Sequence, residues 1–371
     1  MSGTFATFEW HGRKAKAWVP AELAVRDLSL DKRTIATAAE AVDRLRSADT
    51  LVQPGWEPLA RLMLRTEGIA SSSIEGVRAS VDDVARAELD HSKDMSVGWI
   101  VDNLRAVEAA LLTSDLSVEA LDDWHRSLMG HSPLPPEMIG SFRDAPSWIG
   151  GTSPLDAAFV PPPAALVPEL MDDLIAFAND TPCDAVSHAA ILHAQFETIH
   201  PYGDGNGRLG RALVGWVLRR RQIIRNYPPP ISVLMARDAG GYISGLHLFR
   251  EDGLNHWVKW FASIASSSGK QSHAIFEQVE KVLLDWEGQT AHLRVDAAAR
   301  RAVALLPQMP VVNAKHLGDA LQVSSRAAFE ALRVLDDLGI LSPHNVEPAG
   351  PGRPQQWFSA NALLDAARTW T

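Results

Sequence analysis

Two segments of helical period, residues 184–199 and 207–224, enclose the run HPYGDGNGRLGR at positions 200–211. Any fold for this chain must therefore accommodate helix, tight loop and helix in immediate succession. In the first segment Ala185, Ala189, Leu192, Phe196 and Ile199 recur at spacings of four and three, which makes one buried face. The second segment is apolar through ALVGWVL and then basic through RRR. Gly205, Gly207 and Gly210 also spell GxGxxG, the pattern of dinucleotide-binding loops. That pattern needs a strand before it and an acid about 20 residues further on. Here a helix precedes it and the region around 230 reads YPPPIS, so the pattern lacks its context.

As a helix–loop–helix, the run describes an anion site. A loop of Gly205, Asn206 and Gly207 opening a new helix presents backbone amides to one point, reinforced by the helix dipole. Arg208 and Arg211, three apart, emerge on one face of the first turn, and the stretch between them holds Leu209 and Gly210. Two guanidiniums suit a polyphosphate, because each can bind its oxygens bidentately. Asp204 supplies one hard carboxylate, a typical protein share of a Mg²⁺ shell completed by phosphates and water. His200 closes the preceding helix and can act as a general base near neutral pH. The combination predicts activation of a hydroxyl that attacks a Mg²⁺-bound nucleotide phosphate. Residues 204–211 are the expected nucleotide-binding set, with Asp204 also the expected metal ligand.

Other chemistries are excluded or weakened. Glu197 with His200, and Glu88 with His91, form two ExxH pairs reminiscent of di-metal bundles, but the second pair sits in the polar segment RAELDHSKD and the further carboxylates are missing. The single cysteine, Cys183, rules out an intrachain disulfide and fits a reducing compartment. The N-terminus has no apolar core of a secretory signal and no stretch is long enough for a membrane helix, so a cytoplasmic protein with no membrane partner is expected. A net charge of −10 argues against a generally nucleic-acid-coating surface.

The chain reads as mainly α. Helices are expected over 30–47, 56–75, 97–112, 117–129 (with Ser117 as N-cap), 165–178, 238–250, 253–267 and 270–290. Between 130 and 163, SWIGG and AAFV stand among Pro and Gly clusters and are read as two short strands of a small hairpin. After 295 come a helix, a helix-turn-helix (NAKHLGDALQ, then SSRAAFEALRVLDDLGIL) and two strands around a Gly/Pro loop, the layout of a winged helix. From 300 to 371 seven basic residues face six acidic ones, which is thin for a DNA reader. DNA binding and dimerisation or partner docking both stay open for this tail. The expected division is an N-terminal helical region at 1–110, a catalytic core at 111–268, a linker helix at 269–294 and the winged helix at 295–371.

The run at 200–211 resembles the signature of the Fic family, HPFx(D/E)GNGRxxR, with Tyr202 in place of the usual phenylalanine. SFRDAPSWIGG followed by AAFVPPP is similar to the family's hairpin flap, and GGYISGLHLFREDGLNHWVKWF to its adenosine-contacting region. The resemblance covers roughly residues 55–265. It implies a Fic-type helical bundle that moves AMP from ATP to a Ser, Thr or Tyr hydroxyl of a protein and releases pyrophosphate. His200 would be the base and Asp204 would hold Mg²⁺. The target segment would add as a strand to the flap at Trp148–Gly151 and Ala158–Val160, and Tyr242 would contact the nucleotide. Self-modification and a homodimer are further expectations.

SSSIEG at 71–76 fits the family's inhibitory motif (S/T)xxxE(G/N) as Ser71, Glu75 and Gly76. It lies in a helix of about 56–76, with Gly76 a natural C-terminal stop. A carboxylate against Arg211 would occupy the guanidinium that a γ-phosphate needs. Two rival readings follow from the same residues: a nucleotide-sensing winged-helix transcriptional regulator, and removal of AMP with Glu75 positioning a water.

Overall fold

The computed structural model describes residues 3–52, 57–90, 94–346 and 355–368. In chain order its elements are β1 (Gly3–Trp10), β2 (Arg13–Pro20), α1 (Lys32–Asp49), α2 (Glu57–Ile74), α3 (Val81–Ala87), α4 (Met95–Leu112), α5 (Val118–Leu128), α6 (Val167–Asn179), α7 (Ala185–Ile199), α8 (Asn206–Arg220), α9 (Ile231–Arg237), α10 (Ala239–Arg250) and α11 (Leu254–Thr290), then α12 (Ala298–Val303), β3 (Val311–Val312), α13 (Ala314–Leu321), α14 (Ser325–Asp337), β4 (Ser342–Val346), β5 (Gln355–Ser359) and α15 (Asn361–Arg368). The chain divides into two units. One comprises the residues up to Arg46, Asp102–Arg225 and Leu234–Ser268; the other comprises Ser47–Val101, Asn226–Val233 and the residues from Gly269 on.

The first unit is built around α7. Asp184 starts that helix by accepting from the amides of Val186 and Ser187, both at 3.0 Å. Every residue from Ala185 to Ile199 is buried, not only the face read from the sequence. His188, His193, Gln195 and Glu197 broke the apolar pattern there, yet they too lie inside. A helix buried on all sides must be surrounded. The partners of α7 are α6, α8, α10 and β2, and Trp257 donates its indole N–H to the Ala190 carbonyl at 2.7 Å. Trp124, Trp216, Phe249 and Phe261 fill the remaining core of this unit.

The N-terminal region, read as helical with its first helix at 30–47, begins with an antiparallel ribbon that was not expected. Strands β1 and β2 pair over their full length from Gly3↔Pro20 to Trp10↔Arg13. Their turn is His11–Gly12, both at positive φ (45° and 76°), as a two-residue hairpin with right-handed strand twist requires. The flap is reduced from the expected pair of strands to one antiparallel bridge, Ile149↔Phe159. Gly150 and Gly151 leave the extended region at φ 68° and 79°, and the Asp156 carboxylate takes the amides of Thr152 and Ser153 (3.0 and 2.7 Å), which closes the tip before a ladder can extend.

In the second unit β3, β5 and β4 form an antiparallel sheet in that order. The expected helix-turn-helix corresponds to α13 and α14, joined through Gln322 at φ 56°. Leu317, Leu332, Leu335, Phe358 and Leu363 are buried in this part. The Gly/Pro loop expected between β4 and β5, and His91 of the second ExxH pair, lie outside the described residues. Glu88 of that pair is held in an ion-paired fork by Arg61 and Arg65. The helices expected at 253–267 and 270–290 are one continuous α11, and α3 and α9 were not foreseen. Among the described residues no helix is long and apolar enough to cross a membrane.

Candidate active site

The loop between α7 and α8 is pinned at nearly every step. His200 caps α7 in the left-handed region (φ 52°, ψ 61°), with its amide bonded to the Phe196 carbonyl at 2.8 Å. A non-glycine residue there is strained and persists only when its surroundings hold it. Arg143, 6% exposed, supplies much of that hold. Its Nε donates to the His200 carbonyl (2.8 Å) and its Nη2 to the Ile199 carbonyl (3.4 Å), while its own amide donates to Pro201 (2.8 Å). The same guanidinium reaches the flap through the carbonyls of Ala145 (3.0 Å) and Pro162 (2.6 Å). Burial holds its pKa down to about 10, so it stays charged at neutral pH.

Asn206 ties the loop from the other end. Its Oδ1 accepts from the Tyr202 amide (2.9 Å) and its Nδ2 donates to the Tyr202 carbonyl (2.8 Å). Tyr202, the departure from phenylalanine, finds a partner for its hydroxyl in Asp122 Oδ1 at 2.9 Å. Its ring stacks on His125 with centroids 4.2 Å apart. Nδ1 of that histidine accepts from the Gly140 amide (2.8 Å), so Nε2 carries the proton and donates to the Asp204 carbonyl at 3.2 Å. Burial lowers the His125 pKa to about 4, which keeps this donor arrangement neutral through the physiological range.

Asp204 presents its carboxylate outward, with the side chain 57% exposed. Oδ1 takes the Gly205 amide at 2.6 Å, and Oδ2 lies 3.9 Å from Arg208 Nη2. The Gly205 amide is thus spent on Asp204, and the first amides opening α8 are those of Asn206 and Gly207, at a helix start where no intrahelical carbonyl is available. Gly205 itself sits at φ 76°, and a Cβ there would come within 2.5 Å of Met129 Cε, so the position requires glycine. Arg208 and Arg211, the third and sixth residues of α8, are 7% and 4% exposed.

Three expected residues are placed differently. Leu209 is wholly buried and its amide bonds the Gly205 carbonyl, so it packs the core. Gly210 lies where α7 and α8 cross, and a Cβ there would meet Glu197 Oε1 at 2.5 Å. Tyr242 is 3% exposed, its hydroxyl 2.9 Å from His193 Nε2 and its ring stacked on that imidazole. A buried tyrosine whose hydroxyl is already used is a core residue rather than a nucleobase platform.

In the other unit, SSSIEG ends α2 in a Schellman turn. The Val77 amide bonds the Ser72 carbonyl (3.1 Å), the Gly76 amide bonds that of Ser73 (3.0 Å), and Gly76 takes φ 81°. Ser71 is buried, and Glu75, the last residue before the turn, is exposed.

Sequence reading missed Arg143 and His125. Both act through main-chain carbonyls of residues 57 and 79 positions away, and neither belongs to a spacing pattern. Arg143 is a positioning residue: it sets the backbone that carries the His200 imidazole. Arg143→Lys, which keeps the charge but cannot fork to four carbonyls, should lower the turnover of the site about 10-fold, and Arg143→Ala about 100-fold, with nucleotide affinity within about threefold of wild type. Steady-state rates together with nucleotide titrations check this. Turnover within threefold of wild type in both variants would remove Arg143 from the site.

As for a metal, no group of three or more His, Cys, Asp or Glu side chains able to hold an ion occurs among the described residues. One outward carboxylate beside a helix start is the donor set of an ion that takes its other ligands from phosphates and water, and Asp204 fits Mg²⁺ in that sense.

Residues 115–218 match the Fic/DOC family model and residues 32–112 the Fic/DOC family N-terminal model. The protein adenylyltransferase fic-1 of Caenorhabditis elegans is 26% identical over 171 residues, 44% of this chain and 31% of that protein. A probable protein adenylyltransferase of Aquifex aeolicus is 36% identical over 92 residues, 24% of this chain and 29% of that protein. The match thus spans about a third of the length of these curated relatives. Among solved structures, a Fic family protein from Desulfovibrio desulfuricans superposes with TM-score 0.58 at 20% identity, covering 90% of this chain and 97% of the other. Over residues 32–112 and 115–218, which include the loop and nearly all of the two helices that enclose it, this chain belongs to the Fic/DOC family.

Proposed function

We propose that this chain is an autoinhibited protein adenylyltransferase, which moves AMP from ATP to a Ser, Thr or Tyr hydroxyl of a protein. The observation that carries the reading is the pinned loop: a histidine fixed in a left-handed cap, an outward carboxylate four residues on, and a helix start with two arginines in its first two turns. The names of the relatives support the same activity. In this mechanism the target hydroxyl loses its proton to His200, its oxygen bonds to the α-phosphorus, and the bond from that phosphorus to the β-phosphate oxygen breaks. Pyrophosphate leaves with that electron pair. The amides of Asn206 and Gly207 and the guanidiniums of Arg208 and Arg211 hold the phosphates and stabilise the charge that builds on them. Asp204 would hold Mg²⁺, whose charge would offset that of the phosphates. Glu75 would be the brake in this reading, the carboxylate that denies Arg211 to the γ-phosphate.

The test is positional labelling. ATP labelled in the α-phosphate should transfer label to protein, this chain included, whereas ATP labelled in the γ-phosphate should not. Label arriving from the γ-position alone would make the protein a phosphotransferase and overturn the proposal.

A further inference from the structure

The ribbon β1–β2 is an addition to one side of the flap. The Trp18 amide donates to the Val160 carbonyl at 2.9 Å, so β2 takes the flap edge that follows Phe159. Trp10 packs edge-on against Trp148 with ring centroids 5.4 Å apart. Ala15 and Ala17, on one face of β2, are buried at 3% and 0% exposure. The opposite face of the ribbon carries Phe5, Thr7 and Glu9 across from Trp18, Lys16 and Lys14.

Between this ribbon, the flap and the end of α10 lies a cavity of about 550 Å³. Its walls are of two kinds. Phe5, Trp18, Leu155 and Phe159 make it apolar at the sides, with Phe5 and Trp18 in edge contact at 4.9 Å. Lys14, Lys16 and Arg250 bring three cations, against one carboxylate from Glu251, in a protein whose net charge is −10. Arg250 is fixed: its guanidinium lies 3.6 Å from the centre of the Phe159 ring and its Nε donates to Thr198 Oγ1 at 3.3 Å, two residues before His200. The cavity is therefore tied rigidly to both the flap and the catalytic helix. The lysines are on exposed strand positions and can swing toward a ligand.

We propose that this cavity is a specificity subsite for an acidic side chain of the protein substrate, an Asp or Glu near the hydroxyl that is modified. The proposal rests on the adenylyltransferase reading and deepens it. A carboxylate on a short aliphatic stem matches aromatic walls with cations around them. A peptide laid along the flap passes beside the cavity, because Ala157, Ala158, Phe159 and Val160 line it. The ribbon matters twice in this view. It closes the flap edge at Val160, leaving the Ile149 side for added strands, and it contributes both lysines. Cross-strand from Lys14 stands Glu9, so Lys16, opposite Thr7, is the lysine with no carboxylate directly across from it.

The experiment is binding, measured without catalysis. Fluorescein-labelled peptides carrying one threonine flanked by glutamates, or by glutamines in the matched control, are titrated with the full chain and followed by anisotropy. The glutamate peptide should bind about tenfold more tightly than the glutamine peptide at low salt, and the preference should shrink as salt rises. Lys14→Glu/Lys16→Glu should abolish the preference, and Lys14→Ala/Lys16→Ala should reduce it severalfold. Equal affinity for the two peptides, or a preference unchanged in both double variants, overturns the proposal. So does displacement of the glutamate peptide by ATP with Mg²⁺, which would assign the cavity to the nucleotide. Label transfer from α-labelled ATP, measured on the same proteins with Glu75→Gly added, scores the activity separately: glutamate preference without any transfer would sink the enzyme reading and leave the subsite standing.

Discussion

His200→Ala is expected to lower AMP transfer about 10³-fold or more while ATP affinity stays within about threefold of wild type. A positioned general base contributes typically about 10²–10⁴ in rate. In the proposed site nucleotide affinity would have other sources, the amides that open α8 and the guanidiniums of Arg208 and Arg211. The substitution also leaves the loop standing. Alanine at φ 52° keeps the strain that histidine already bears, and the fixings of the loop act on main chain: Arg143 on the carbonyls of 199 and 200, Asn206 on Tyr202, His125 on Asp204. Initial rates with α-labelled ATP and a calorimetric ATP titration on the same variant separate the two effects. Loss of ATP binding along with transfer would make His200 a structural cap and displace it as the base.

That separation is possible because the loop's chemistry and its scaffold come from different parts of the chain, which also explains what the sequence disclosed. The roles proposed for His200, Asp204, Arg208 and Arg211 could be read because such chemistry requires short spacings around a glycine bend, and short spacings survive in one dimension. The scaffold was not legible. Arg143 recognises carbonyls, which every residue has, so nothing in the residue identities at 145, 162, 199 or 200 points back to it. The helix α7 hid its full burial behind polar side chains, of which His193 meets the Tyr242 hydroxyl through Nε2, 49 residues on. That same bond removed Tyr242 from the expected nucleotide contacts. The ribbon β1–β2 was legible in principle, since alternation around His11–Gly12 is a hairpin signal. The flap was over-read for the converse reason: strand-forming residues flank it, but two glycines at positive φ and the Asp156 turn leave room for a single bridge.

Glu75→Gly is expected to raise labelling of protein by α-labelled ATP by about 10–100-fold. The carboxylate ends α2 at the residue before a left-handed glycine, where it is exposed and the main chain alone makes the Schellman turn. Replacing it with glycine therefore removes the charge with little harm to the fold, and stability should change by no more than about 1 kcal/mol. The gain in rate follows from the proposed pairing with Arg211: a guanidinium that neutralises a carboxylate cannot also orient a γ-phosphate, and a misplacement of about 1 Å can cost about 100-fold in rate. Glu75→Gln, which keeps the side-chain length and loses the charge, should recover a large part of the gain. Coupling gives the sharper check. If Glu75 acts through Arg211, Glu75→Gly added to Arg211→Ala should bring no further increase, because the two substitutions remove one interaction. A Glu75→Gly protein that labels no better than wild type would reduce the motif to an ordinary helix end. A gain that persists undiminished on the Arg211→Ala background would keep the brake and move its point of action elsewhere.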